Sequence, residues 1–228
     1  SLLPLAGAVL LVVILPARAD AVPGRQALDR ATAGEGTSPG FDSRVFWILA
    51  AAFATMSLAF TGMLPHFVPM LNDGGLDPVA AGRIAGQIGL AVISSRLLIG
   101  LLLDRLFAPR IAIAVCLLAA AGCALFIARG TAAATLTAIA LGCAIGAELD
   151  LMGFLVARYF GLAGFGRIYG WLYGAFVAAS GLAPLWVGAL RDATGSYTLP
   201  LALCIAGLFA ACGVFLLLPR YAAVSSRR

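Results

Sequence analysis

The sequence predicts an all-α membrane protein, on three observations. Of the 228 residues, 62% are apolar and 11% charged, and the mean hydropathy is +1.04. A soluble domain carries about 25% charged residues, so this chain lacks the polar surface to cover a globule in water. Second, charges and turn residues cut the apolar sequence into six long runs, at 45–71, 84–103, 111–128, 131–157, 168–190 and 199–218. Each is close to or above the roughly 17–25 residues that a helix needs to cross the hydrocarbon core. The third observation is where the charge lies. All 15 basic residues are arginine; with six crossings alternating in direction, eleven fall in one set of loops, three in the other, and one, Arg96, within a run.

That asymmetry sets the orientation. The arginine-rich set (16–44, 104–110, 158–167 and the tail after Pro219) belongs in the cytoplasm by the positive-inside rule. Arginines spread over short loops also argue against a nucleic-acid partner. The use of arginine in place of lysine hints at a GC-rich bacterial genome, and so at a bacterial inner membrane. A shorter apolar run, 2–15, opens the chain, and Ala17-Arg18-Ala19 resembles a signal-peptide cleavage site. Cleavage there would put 16–44 outside, against the charge bias. Residues 1–16 are therefore expected to end an earlier membrane helix, and 17–44, rich in Ala, Gly, Pro and Ser, to form a cytoplasmic linker. Residues 45–219 are the six-helix domain, and 220–228 a cytoplasmic tail.

Local signals mark the elements. Asp42 and Ser43 can cap the first helix. Asn72-Asp73-Gly74-Gly75 is the turn that ends it outside, and Asp77-Pro78 reads as an N-cap followed by proline at the first helical position. Gly142 and Gly146, like Gly170 and Gly174, stand four apart, the spacing that lets helices approach closely in lipid. Arg96-x3-Gly100-x3-Asp104 closes the second run and Pro184-x3-Gly188-x3-Asp192 the fifth, in opposite orientation, an echo that an inverted three-helix repeat would leave. The five cysteines lie in apolar runs without a CxxC pair, and a single histidine cannot complete a zinc site with them, so no metal or disulfide is expected.

Three ionisable residues sit well inside runs: Arg96, Glu148 and Asp150. An arginine or aspartate at a helix centre costs about 2.5–3.5 kcal/mol on insertion scales, so such residues mark sites or pairs. Counted from the run midpoints, Arg96 and the two carboxylates lie on the cytoplasmic side at depths agreeing to about 5 Å. Glu148 and Asp150 stand about 200° apart around a helix, so only one can face Arg96, and the spacing leaves either as its partner. One reading is a fixed pair that clips two helices together. The other is a water-filled cavity in which Arg96 binds an anionic substrate and a carboxylate tunes it or carries a proton. Guanidinium suits this, because it forks two hydrogen bonds to a carboxylate and stays charged. His66, toward the outer end of the first run, is a further candidate for proton coupling; the alternative is a histidine bonded to backbone freed by Pro65 and Pro69. Tyr169 and Tyr173 share a helix face near the cytoplasmic side. No nucleophile triad, phosphate loop or redox pair is visible, and neither an enzyme activity nor a cofactor is expected.

Several stretches together resemble the C-terminal half of a major facilitator superfamily transporter, closest to its oxalate/formate antiporter and monocarboxylate transporter branch. They are FW at 46–47, HFVPMLNDGGLDPVAA at 66–81, SRLLIGLLLDR at 95–105, RYFG at 158–161 and APLWVGALRDATGSY at 183–197. The resemblance implies a fold of twelve helices, of which the six runs are helices 7 to 12 and 2–15 the end of helix 6. It implies two inverted three-helix repeats, a missing N-terminal half, and transport by alternating access. It places Arg96 where that branch binds the substrate carboxylate; the residues themselves add Glu148, Asp150 and Tyr173 as candidates around the same cavity, and Glu148, Asp150 or His66 as candidates for handling protons. Asp104 and Arg105 match the cytoplasmic gating motif, with Arg158 assigned to the same gate. The usual glycine and basic cluster after that motif are replaced by Phe107, Ala108 and Pro109. The antiporter's second basic residue has no lysine to match it here, which favours a monocarboxylate over a dicarboxylate. The implied partners are a small organic anion, a proton and the lipid bilayer. Competing expectations are efflux of drug-like amphipaths and a non-transporting receptor or assembly subunit on the same fold.

Overall fold

The computed structural model describes residues 42–103, 105–162 and 164–220, and all of them lie in one compact unit. The expectations for 1–41, for Asp104 and for 221–228 fall outside the described residues. The described chain is helical: α1 Ser43–Phe60, α2 Met63–Asp73, α3 Pro78–Leu103, α4 Ala108–Arg129, a 3-10 turn at Gly130–Ala133, α5 Ala134–Phe160, α6 Phe165–Thr194 and α7 Thr198–Leu216. No strand occurs among the described residues. Helices are the economical solution for such runs, because each satisfies its own backbone polar groups without water.

Five helical stretches are long and apolar enough to cross a membrane: Ser43–Asp73, Pro78–Leu103, Ala108–Phe160, Phe165–Thr194 and Thr198–Leu216. Two differ from the runs read in the sequence. The run 45–71 is broken at Thr61-Gly62 into α1 and α2. Pro65 then falls in the first turn of α2, where a missing N–H costs nothing. At Gly62, a Cβ would stand 2.6 Å from the Ala183 carbonyl oxygen of α6, so the break is also a point of close approach. The runs 111–128 and 131–157 join into one stretch of 53 residues. Straight, it would extend about 80 Å, far beyond a core of about 30 Å. It folds back instead. Gly130 turns at φ +56°, and α4 and α5 then pack on each other. Thr137 Oγ1 donates to the Gly122 carbonyl at 2.9 Å, and a Cβ on Gly122 would lie 2.7 Å from that of Ala140.

The local start signals act as read. The Asp42 carboxylate accepts from the Arg44 and Val45 amides at 2.9 and 3.4 Å, and Asp77 from those of Val79 and Ala80 at 2.9 and 3.1 Å. Gly161, the glycine of RYFG, ends α5 at φ +72°, and its N–H returns to the Ala157 carbonyl at 3.1 Å.

Helix α5 packs against α3 and α4, α7 lies on α4 and α1, and α6 lies on α1. The interior is filled by large side chains such as Met56, Leu151, Met152 and Leu155, and Phe53 meets Phe215 edge-on at 5.5 Å. Cys116, Cys123, Cys204 and Cys212 are free and buried in it, as small packing residues. The spacing of Gly142 and Gly146 produces the close approach expected, with α3 as the partner. A Cβ on either would stand 2.5 Å from a carbonyl oxygen, of Ile88 and of Val92 respectively. Ser95 Oγ closes the seam by donating to the Cys143 carbonyl at 2.7 Å. Gly170 and Gly174 do not repeat this: a Cβ on either meets nothing within 4 Å. The echo between Gly100 and Gly188 does not extend to packing either. Gly188 faces the His66 ring, where a Cβ would lie 3.4 Å from the nearest ring atom, and Gly100 faces open space.

Candidate functional site

The α3–α5 seam sets the level of the intramembrane charges. Gly142 sits on Ile88 and Gly146 on Val92, so α3 and α5 run parallel at an offset of 54 residues. Continued by one turn, that register puts Asp150 level with Arg96. The depth agreement read from the sequence thus becomes a lateral relation between two neighbouring helices.

The two carboxylates part company. Glu148 is 2% exposed, points into the interior, and lies near enough to Cys116 for its charge to act on that thiol. Its Oε1 has no hydrogen-bond partner. Asp150 is half-buried and Arg96 exposed. Both act electrostatically on Tyr169 of α6. Gly153 leaves room for that ring: a Cβ there would be 3.8 Å from it. Asp150 stands one turn from Gly146, which faces α3, and one turn from Gly153, which faces α6. It therefore borders the face of α5 that meets both α3 and α6, and the space it shares with Arg96 and Tyr169 is termed the trough. Among the described residues Arg96 takes part in no ion pair and no hydrogen bond, so it does not clip helices together.

One wall of the trough is a ladder of rings on α6. Phe165, Tyr169, Tyr173 and Phe176 follow one another at centroid distances of 5.3, 5.9 and 5.8 Å, with interplanar angles of 12°, 9° and 23°. The sequence reading found the two tyrosines and missed the flanking phenylalanines, although the spacing of four, four and three residues was there to read. At the C-terminal ends of α3 and α5, Arg105 is exposed, and the Arg158 guanidinium lies 5.3 Å above the Phe154 ring in the last turn of α5. Its charge there complements the negative end of the helix dipole.

His66 lies away from the trough, in α2 beside α6 and the start of α7. Its Nε2 is 3.1 Å from the Pro184 carbonyl oxygen of α6, and its Nδ1 is 3.4 Å from the Tyr197 hydroxyl. A carbonyl only accepts, so Nε2 carries the proton and Nδ1 accepts from the phenol. Burial, with the charge of Asp73 behind it, pushes that phenol above its ordinary value and keeps it a donor. His66 thus bonds backbone of another helix, not backbone freed by its own flanking prolines. Beside it, Arg191 donates to Asp73 at 2.8 Å and lies over the Tyr197 ring at 5.6 Å. This cluster ties α2 to α6 across 118 residues and had no local signature in the sequence.

Among the described residues, fold and site together define a helical bundle with five stretches long and apolar enough to cross a membrane, carrying an arginine outside any ion pair and an aspartate level with it at mid-helix. Comparison with known proteins adds no name to that class: no family model matches the chain, and no curated protein matches it.

Proposed function

We propose that the chain is one six-helix half of a twelve-helix secondary transporter that moves a small organic anion, a monocarboxylate, by alternating access coupled to protons. The observation that carries this reading is Arg96. It is exposed at mid-helix depth, without an ion pair, in the same trough as Asp150 and Tyr169. A charge that costs several kcal/mol in lipid and fastens nothing has its use in a ligand. In this reading the 53-residue stretch crosses twice, the two halves of the bundle are inverted repeats, and a second half of the polypeptide closes the trough. The substrate carboxylate takes the forked donors of Arg96, and Tyr173 borders it. Asp150 shares the trough; Glu148 stands behind it in the core. Arg105 and Arg158, with Asp104, belong to the cytoplasmic gate. The membrane is the bacterial inner membrane, with the C-terminus in the cytoplasm.

Efflux of amphipathic compounds draws on a different feature. Between α1 and α6 lies an open cavity of about 700 Å³, lined by Phe46, Trp47, Ile168 and Trp171, with Arg167 at its edge. It is apolar and holds neither Arg96 nor Asp150. Uptake by vesicles carrying the full-length protein separates the two readings. Labelled mono- and dicarboxylates are offered with and without an inward proton gradient, to wild type and to Arg96→Ala. Saturable uptake of a monocarboxylate that is lost in a variant still inserted and monodisperse upholds the carboxylate reading. Normal uptake by the variant, or no uptake of any acid, overturns it and leaves efflux through the apolar cavity.

A further inference from the structure

The trough holds opposite charges that do not meet. Arg96 and Asp150 stand level on adjacent parallel helices, α3 and α5, and both act on Tyr169, yet no ion pair forms between them. In a weakly screened site, a guanidinium and a carboxylate at one level gain greatly by closing on each other. Beside this pair the two backbones are in close contact, with carbonyl oxygens of α3 2.5 Å from where Cβ atoms would stand on Gly142 and Gly146.

A plain monocarboxylate answers only half of this arrangement. Its negative charge satisfies Arg96 and is repelled by Asp150. A ligand with a cation beside its carboxylate answers both. We propose that the trough takes a zwitterion of amino-acid type, its carboxylate on Arg96 and its ammonium on Asp150. This keeps the carboxylate on Arg96 but replaces the plain monocarboxylate by a dipolar ion, and it rests on the transport reading above. Tyr169 completes the site. Its phenol lies within the field of both charges, and stacking between Phe165 and Tyr173 holds the ring in place. Glu148 cannot replace Asp150 in this role, since it is sealed in the core beside Cys116. Arg96, Asp150 and Tyr169 thus offer one cation, one anion and a phenol, which suits a small dipolar ion.

The test compares pairs that differ only in the amine. Labelled alanine is set against propionate, and phenylalanine against 3-phenylpropionate, in vesicles carrying the full-length protein. In wild type the amino acid of at least one pair is expected to be taken up ten-fold or more better than its deaminated partner. Asp150→Asn should bring that ratio down toward one, chiefly by slowing the amino acid, and Arg96→Ala should abolish uptake of both. A wild-type ratio at or below one overturns the zwitterion proposal, and it decides the matter even if Asp150→Asn fails to insert. A ratio that survives Asp150→Asn overturns it as well. If the deaminated acids are the better substrates and still depend on Arg96, the zwitterion fails while carboxylate transport stands. Should no uptake depend on Arg96, the underlying transport reading falls with it.

Discussion

Arg96, Asp150 and Glu148 carry most of what the chain says at the scale of single residues, and each makes a separate prediction. A lysine at 96 would keep the charge and lose the planar fork. Arg96→Lys is expected to raise the KM for a carboxylate by ten-fold or more, consistent with the roughly 1.5–3 kcal/mol that a hydrogen bond to a charged group contributes. Vesicle uptake at varied substrate concentration measures it, and an unchanged KM would mean that Arg96 does not grip the ligand. Glu148 presents the opposite case. With one oxygen unpartnered in the core, it contributes nothing obvious to packing that an amide of the same shape would lose. Glu148→Gln is expected to leave the thermal midpoint in detergent unchanged or raised, whereas Glu148→Ala lowers it by opening a cavity. A large fall with glutamine would show that the carboxylate itself holds the core together. The separation of these two carboxylates was only half legible in the sequence. Two residues apart on a helix guarantees that they diverge. Which one enters the core depends on α4, whose position no local pattern reveals.

At the scale of elements, the bundle relies on backbone meeting backbone. Gly142→Ala and Gly146→Ala each drive a Cβ to 2.5 Å from a carbonyl oxygen of α3. A side chain could swing aside, but a carbonyl inside a helix cannot. Each substitution is expected to cost about 1–3 kcal/mol, the usual penalty of overpacking, and to lower the midpoint by several degrees. Gly213→Ala is the matched control: a Cβ there meets nothing within 4 Å, so its midpoint should hold. Equal behaviour of all three would remove the seam as an organising contact. Here the sequence was informative, because small residues four apart announce a close approach. It did not name the partner, and the same spacing at Gly170 and Gly174 led to no contact. Spacing reports which helix faces are small; only the topology decides what lies opposite. The cluster of Asp73, Arg191, Tyr197 and His66 shows the same limit, since its members gather from α2, the end of α6 and the turn after it.

For the whole molecule, the arginine bias predicts a topology that labelling can check. The native cysteines are buried or half-buried, so cysteines introduced in loops should dominate the reaction with a membrane-impermeant thiol reagent. Asn72→Cys and Thr131→Cys are expected to react in intact cells, and Arg105→Cys and Leu162→Cys only after permeabilisation. Labelling of Thr131→Cys from outside would establish that the 53-residue stretch crosses twice. The reverse pattern at all four positions would invert the orientation, and protection of Thr131→Cys alone would make the α4–α5 hairpin re-entrant and leave four crossings. Helix content was largely legible because apolar length dictates it. The fusion of two runs into one helical stretch was not, since Gly130-Thr131 reads as a loop while Gly130–Ala133 forms a tight 3-10 turn that never lets the chain leave helix.

The seam between α3 and α5 has one more consequence. Two helices in backbone contact, parallel and locked at a single offset, behave as one rod. Arg96 is mounted on one strip of that rod and Asp150 on the other. However the bundle tilts, the two backbone positions that carry the guanidinium and the carboxylate travel together, like two hooks on one rail. A molecule held by both would meet the same pair of anchors whichever side of the membrane it came from.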